Sequence, residues 1–428
     1  MRELRKNRDI VAVIIMTKKV CLSGYVNYLY LAYVLTWPVL NKTILPFDGA
    51  GRIGLLLLSV SLFFNLLSKG FADEVWKPPV SIWLVWVVYV SVSWYIQGYN
   101  VTECGDAKPV PDLLFVITRF FTPFYAMLIV VYEMQRDEFS LLKWVLGCYV
   151  IFVLVGTIVG DKTITEDGRI ISVLGNELPL GAMAMSFVVA CLSIQHKLST
   201  KLVLIFLTAA FVCVLSAATR KAFIGLSIIT FFLIVAKFEM YKPQKLFMLL
   251  CICLICYLSL QYVLDNTTLG ERFAATEDDA ELYNTSGIYF LNFLGDRAIF
   301  YIMGWKVFLE HPLFGIGVSN FQVITGYPLP IHSEYIVQLC EGGIIGVVLF
   351  ISFYNGIFKC IKGIKRISAS YRGLYLVFLS LFLSILFINF TAWTYQFPHY
   401  FICFGIIIGK SRHVSRHCEY RRRSYASN

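Results

Sequence analysis

The chain has 428 residues, of which 58% are hydrophobic and only 15% charged, and its mean hydropathy is +0.70. A soluble domain carries about 25% charged residues, so this composition excludes a water-soluble globular fold. The net charge of +10 invites a nucleic-acid reading, but the Lys and Arg residues collect in short segments between apolar runs. The basic block 412–423 holds Tyr420 as its one aromatic platform, so no nucleic acid is expected as a partner.

The N-terminal stretch MRELRKNRDIVAVIIMTKK is basic with a short apolar patch, and no small-residue cleavage site closes it. It reads as a retained cytoplasmic lead-in. Twelve apolar spans follow, at 20–40, 52–68, 79–97, 112–132, 141–160, 173–194, 202–217, 222–236, 246–264, 333–357, 372–390 and 393–409. The expected fold is therefore an all-α polytopic membrane protein, with residues 1–428 as one integral membrane domain. Placing the N-terminus inside puts most of the 37 Lys and Arg on the inner side, as the positive-inside rule requires, and an even count returns the C-terminus inside.

Twelve cysteines do not make a disulfide framework, because all but Cys104 fall in spans, at their edges or in inner segments. There they act as small hydrophobes. The run Glu277, Asp278, Asp279 reads as solvated charge, so no metal and no cofactor is expected.

The segment 265–331 is by far the longest outer loop, and long loops in compact proteins usually carry function. Within it, Asp296–Glu310 predicts a helix too short to span, lying at the outer interface. Pro312 ends that helix, and Gly315 and Gly317 turn the chain back. No internal repeat is found, which argues against a transporter.

His332 stands at the mouth of the span beginning near Ser333, where Gly342, Gly343 and Gly346 predict close helix packing. A base there suits proton removal from a sugar hydroxyl. Arg220 sits in an outer hairpin turn (SAATRKAFIGL) and Arg297 at the start of the interfacial helix (GDRAIFYIMG). Each arginine alone also fits a headgroup anchor. Together with His332 they suit a membrane-held diphosphate, which guanidinium groups grip through paired hydrogen bonds. Arg119 and Glu341 both fall inside spans and are candidates to tune the site or to pair with one another; Tyr335 joins them as a neighbour of His332.

These residues resemble a known family, the O-antigen ligases and polymerases of bacterial polysaccharide assembly. The pattern His332, Ser333, nine residues, Gly343, two residues, Gly346 resembles the family signature. EHPLFGIGVSNF, TRKAFIGL, GDRAIFYIMGWKVF and GNELPLGAMAM resemble four further family elements in the same order, so the likeness covers residues 172–355. It implies a metal-independent inverting glycosyltransferase of the inner membrane, with its active site and loop 265–331 on the periplasmic face. The donor would be a glycan on undecaprenyl diphosphate, held by Arg220 and Arg297, and His332 would act at the acceptor hydroxyl. The acceptor would be a lipid-linked repeat unit for a polymerase or lipid A–core for a ligase; the HSEYIVQLCEGGIIG form leans to polymerase. Membrane lipids are implied partners, and whether a chain-length regulator binds is left open. A flippase of lipid-linked glycan is the competing class.

Overall fold

The computed structural model describes residues 23–36, 47–67, 73–97, 117–158, 163–164, 170–171, 177–217, 219–239, 245, 261–262, 298–318, 320–327, 331–392 and 394–426. Most of the described residues are helical, joined by turns and short irregular connections, and one antiparallel ladder pairs β1 (Thr163–Ile164) with β2 (Ile170–Ile171). In chain order the helices are α1 (residues 23–36), α2 (Phe47–Leu67) and α3 (Val80–Gln97). A π-helical turn (Ile117–Phe121) then runs into α4 (Thr122–Arg136), followed by α5 (Glu138–Ile158), α6 (Glu177–Ile194), α7 (Thr200–Ser216) and α8 (Arg220–Lys237). Beyond these come α9 (Ala298–Glu310), α10 (Phe321–Thr325), α11 (Glu334–Cys340), α12 (Gly343–Ile367), α13 (Arg372–Ile388) and α14 (Pro398–Ala426).

Among the described residues, three helical stretches are long and apolar enough to cross a bilayer: Glu138–Thr157, Gly343–Ile367 and Ala369–Ile388. Shorter apolar helices lie at Ile53–Leu66, Val80–Ile96, Leu178–Ile194 and Thr200–Ser216. Their outward faces are as apolar as their inward ones. On α3, Val85, Val88 and Val92 are exposed at helical spacing, while Trp83, Trp86 and Val90 are buried behind them. On α12, Ile344, Val348 and Ile351 are exposed opposite buried Phe350, Phe353 and Ile357. A helix apolar all round suits acyl chains rather than water. The protein is a helical membrane protein. At the centre, α4 buries an unbroken run from Pro123 to Val131 and packs on α14.

One end of the bundle is basic. Glu138 at the start of α5 meets Lys410 on α14 at 2.5 Å and accepts from Gln195 Nε2 at 2.5 Å. Arg412 donates to the carbonyls of Val75 (3.1 Å) and Lys77 (2.7 Å), and Arg416 donates to Gln135. Lys237 reaches Ser193 (3.2 Å) and Thr200 (3.1 Å). These contacts gather at one end of the bundle.

Two predicted spans need correction. The span 333–357 is not continuous: α11 and α12 meet at a break through Glu341 and Gly342, because Gly343 takes a left-handed φ of +60°. The last span, 393–409, becomes helical only at Pro398, and its helix continues through the basic block to Ala426. Apart from Gln261 and Tyr262, the span 246–264 and the loop from 265 to 297 lie outside the described residues.

Candidate functional site

Ile331 and His332 lie outside regular secondary structure and, through the extended Ser333, lead directly into α11. The His332 ring is half-buried and meets Phe300 of α9 edge-on, with ring centres 5.9 Å apart. Phe300 in turn packs against Tyr327 at 5.3 Å. α9 lies tight on α11, since a Cβ at Gly304 would come within 2.2 Å of Ile336 Cγ2. Arg297, expected on this helix, lies outside the described residues, one position before Ala298 in the chain.

The segment between α9 and α10 crosses the break between α11 and α12. Ile316 N–H donates to Cys340 O (2.9 Å) and Gly317 N–H to Glu341 O (3.0 Å). In the other direction, Ile344 N–H donates to Pro312 O (2.8 Å). Backbone groups that the interrupted helix cannot pair internally are thus paired across the crossing, as a low-dielectric surrounding demands. Both strands of the crossing need glycine. Gly315 has φ +68°, and a Cβ there would lie 2.5 Å from the carbonyl carbon of Glu341; Gly343 would place one 2.5 Å from Leu313 O. The expected role of Gly343 in helix–helix packing is therefore replaced by a turn at a backbone crossing.

Arg220 opens α8, is half-buried, and follows buried Thr219 in the hairpin from α7, as the sequence suggested. α8 runs antiparallel to α13. The Gly225 carbonyl accepts from Ser384 Oγ at 3.1 Å, and Gly373 faces Ala236. This register brings Arg220 level with Asn389, just past the end of α13. His332 reaches the same level from the other side. The Glu334 N–H, two residues on, donates to Asn389 O (2.8 Å) and Ala392 O (3.2 Å). Arg220 and His332 therefore share the end of the bundle opposite the basic one.

The sequence reading missed Glu334. Its side chain is fully buried, and its carboxylate accepts from Gln338 Nε2 (2.8 Å), Thr394 N–H (2.5 Å) and Tyr395 N–H (3.2 Å). These three partners all donate, so the carboxylate acts as an acceptor on both of its oxygens. The signal was available: an acid beside His332 at the mouth of an apolar run has to be paired.

The remaining candidates surround the same loop. Arg119 lies on the π-helical turn and donates to Gln396. Phe120 stacks on Tyr395 (5.6 Å). Glu341 is buried at the helix break, where its carbonyl receives the Gly317 N–H. Tyr335 donates to Leu386 O (2.8 Å) and its ring packs on Phe390 (4.7 Å), so it braces α11 against α13. Tyr301 lies 2.9 Å from Ser333 Oγ and 2.8 Å from Phe390 O, tying α9 to the same place.

Residues 203–351 match the family described as O-antigen ligase. The matched segment contains Arg220, Arg297, His332, Glu334, Tyr335 and Glu341. Among curated proteins, none matches the chain.

Proposed function

We propose that the protein is a glycosyltransferase of the bacterial inner membrane, moving a glycan from undecaprenyl diphosphate to an acceptor sugar hydroxyl on the periplasmic side. The observation that carries this reading is the O-antigen ligase match over 203–351, within which Arg220 and His332 stand at one end of the bundle. On this reading the chain is one membrane domain of twelve spans, with both termini and the basic end in the cytoplasm. Residues 172–355 form its core, and loop 265–331 faces the periplasm.

In the reaction, the acceptor oxygen bonds to the anomeric carbon as the bond from that carbon to the diphosphate oxygen breaks, inverting the centre. The leaving group carries the bonding pair away as a diphosphate. Arg220 and Arg297 stabilise this developing charge, and guanidinium suits it because it stays ionised and pairs two oxygens at once. His332 takes the acceptor proton or orients the hydroxyl; general-base help contributes about 10²–10⁴-fold. No metal is required in this scheme. Polymerase is slightly favoured over ligase, from the HSEYIVQLCEGGIIG form.

The deciding experiment supplies purified protein with undecaprenyl-diphosphate repeat units, with and without lipid A–core. A ladder formed without lipid A–core identifies a polymerase, and a single transfer requiring lipid A–core identifies a ligase. The flippase reading draws on the broken helix at Glu341–Gly343, a feature also used by transporters. It takes over when neither product forms and His332→Ala complements the cell as well as wild type.

A further inference from the structure

We propose that Glu334 is a positioning residue of the transfer site. Its carboxylate fastens the segment Asn389–Gln396 to the His332 end of α11 and thereby sets both His332 and Arg119. The inference rests on the transfer reading above for its effect on turnover, but the coupling itself can be read without turnover.

The described residues between α13 and α14 form no regular helix, yet Asn389, Ala392, Thr394 and Tyr395 are all buried. Its buried amides need partners, and Glu334 supplies them. One carboxylate oxygen receives both the Thr394 and the Tyr395 N–H groups. Thr394 Oγ1 donates to Asn389 Oδ1 (2.8 Å), and Asn389 Nδ2 donates to Tyr354 OH (3.0 Å), which fastens the other end. Gln396, at the end of the segment, receives Arg119. Ser333 Oγ, adjacent to His332, lies 3.3 Å from Asn389 O. Glu334 is fully buried, so it does not itself meet a substrate.

The orientation of each group follows from one fixed donor. Indole nitrogen only donates, and Trp86 Nε1 donates to Gln338 Oε1 at 2.9 Å. That assigns the Gln338 amide nitrogen to Glu334 Oε1. With donors on both of its oxygens, position 334 has to accept on both. A glutamine there can accept from Thr394 and Tyr395 only by turning its own NH2 onto the NH2 of Gln338. Exchanging the two residues removes the conflict: in the double variant Glu334→Gln, Gln338→Glu, the carboxylate at 338 accepts from Trp86 and from the new amide at 334. The new amide oxygen then accepts the two loop N–H groups.

The test compares full-length wild type, Glu334→Gln and the double variant in detergent. Hydrogen–deuterium exchange is followed at Thr394 and Tyr395, and turnover is measured with lipid-linked repeat units. Glu334→Gln is expected to exchange about tenfold faster at these amides, the loss of roughly one net hydrogen bond. Its kcat should fall by about the same factor or more while donor KM moves by less than about threefold, as expected when orientation rather than donor binding is lost. The double variant should recover both protection and turnover. Unchanged protection in Glu334→Gln overturns the coupling even if wild type transfers no glycan, an outcome that separately sinks the transfer reading. Protection restored without turnover, in a wild type that transfers, assigns the 334 carboxylate a chemical role and overturns positioning. If Glu334→Gln fails to fold, the double variant must still fold and work; its failure overturns the hydrogen-bond assignment.

Discussion

Replacing Gly315 by alanine tests the crossing that shapes the His332 region. The left-handed φ of +68° costs an L-residue about 1–2 kcal/mol. The new Cβ also meets the Glu341 carbonyl carbon and oxygen at 2.5 Å and Cys340 O at 2.6 Å. These are backbone atoms with no rotamer to move, so the strands have to separate. Separation breaks the bonds from Ile316 to Cys340 and from Gly317 to Glu341, each worth about 1 kcal/mol net. The expected loss is therefore about 3–4 kcal/mol. Gly326 is the internal control: its φ is +67°, and nothing lies within 4 Å of the Cβ position. Gly326→Ala should lose only the backbone part, so the two variants differ by about 2 kcal/mol, or roughly thirty-fold in an unfolding equilibrium. Denaturant titration of the purified proteins in mixed micelles measures this difference. Equal destabilisation by the two substitutions refutes the argument from close approach.

Other expectations follow from the site and the basic end. His332→Ala should lower kcat by about 10²–10⁴-fold in the reconstituted transfer, with the protein still folded by thermal scan. Arg220→Lys keeps the charge but loses the planar fork, and kcat/KM should drop by about tenfold or more; near-wild-type transfer would remove Arg220 from the diphosphate. Chelator treatment should leave the transfer rate within about two-fold, since arginines rather than a metal ion are assigned the leaving-group charge. At the basic end, Asp137 caps α5, accepting from Ser140 N–H (3.1 Å) and Ser140 Oγ (2.6 Å). Bonds from the Ser140 hydroxyl and then its backbone N–H hold this carboxyl below the usual carboxylate value. Asp137→Ala should therefore cost about 1 kcal/mol at neutral pH. A depressed acid stabilises above its unfolded pKa and loses that contribution as pH falls, so the gap between the two melting curves should close below about pH 4.

The helices were legible because apolar runs announce themselves, and the turn that carries Arg220 was legible as a short polar gap between two of them. The helix break was not. Glycines in an apolar run read equally well as packing faces and as turns, and what decides at Gly343 is the backbone of Leu313 and Gly315, 30 and 28 residues earlier. The late start of α14 did carry a local sign. Pro398 suits a first helical position and disfavours helix in the residue before it, but the aromatic run FTAWTYQF masked this by looking like membrane helix. Glu334 was passed over although Arg119 and Glu341 were singled out by the same rule, that a charge inside an apolar span needs a partner. Two of its three partners are amides of a loop 60 and 61 residues away, which no local pattern exhibits.

The spacing of the motif acquires a physical reason from these contacts. α11 is only seven residues long, so many of its terminal carbonyl and N–H groups have no partner within the helix. The HPLFGIG segment pairs with the carbonyls at its C-terminal end, and the Glu334-bound segment pairs with the amide at its N-terminal end. His332 is thus held at one end of an element whose two termini are both fixed by other parts of the chain. α9 is held to the same element through Gly304 and Ile336, and Arg220 is referenced to it through α13 and Asn389. Three elements distant in sequence are located against the loop Asn389–Gln396, which lies beyond the matched family segment. A chain truncated to residues 203–351 would keep the motif and lose the surface it is built on. Such a fragment should leave the helix ends unpaired and fail to assemble in a membrane.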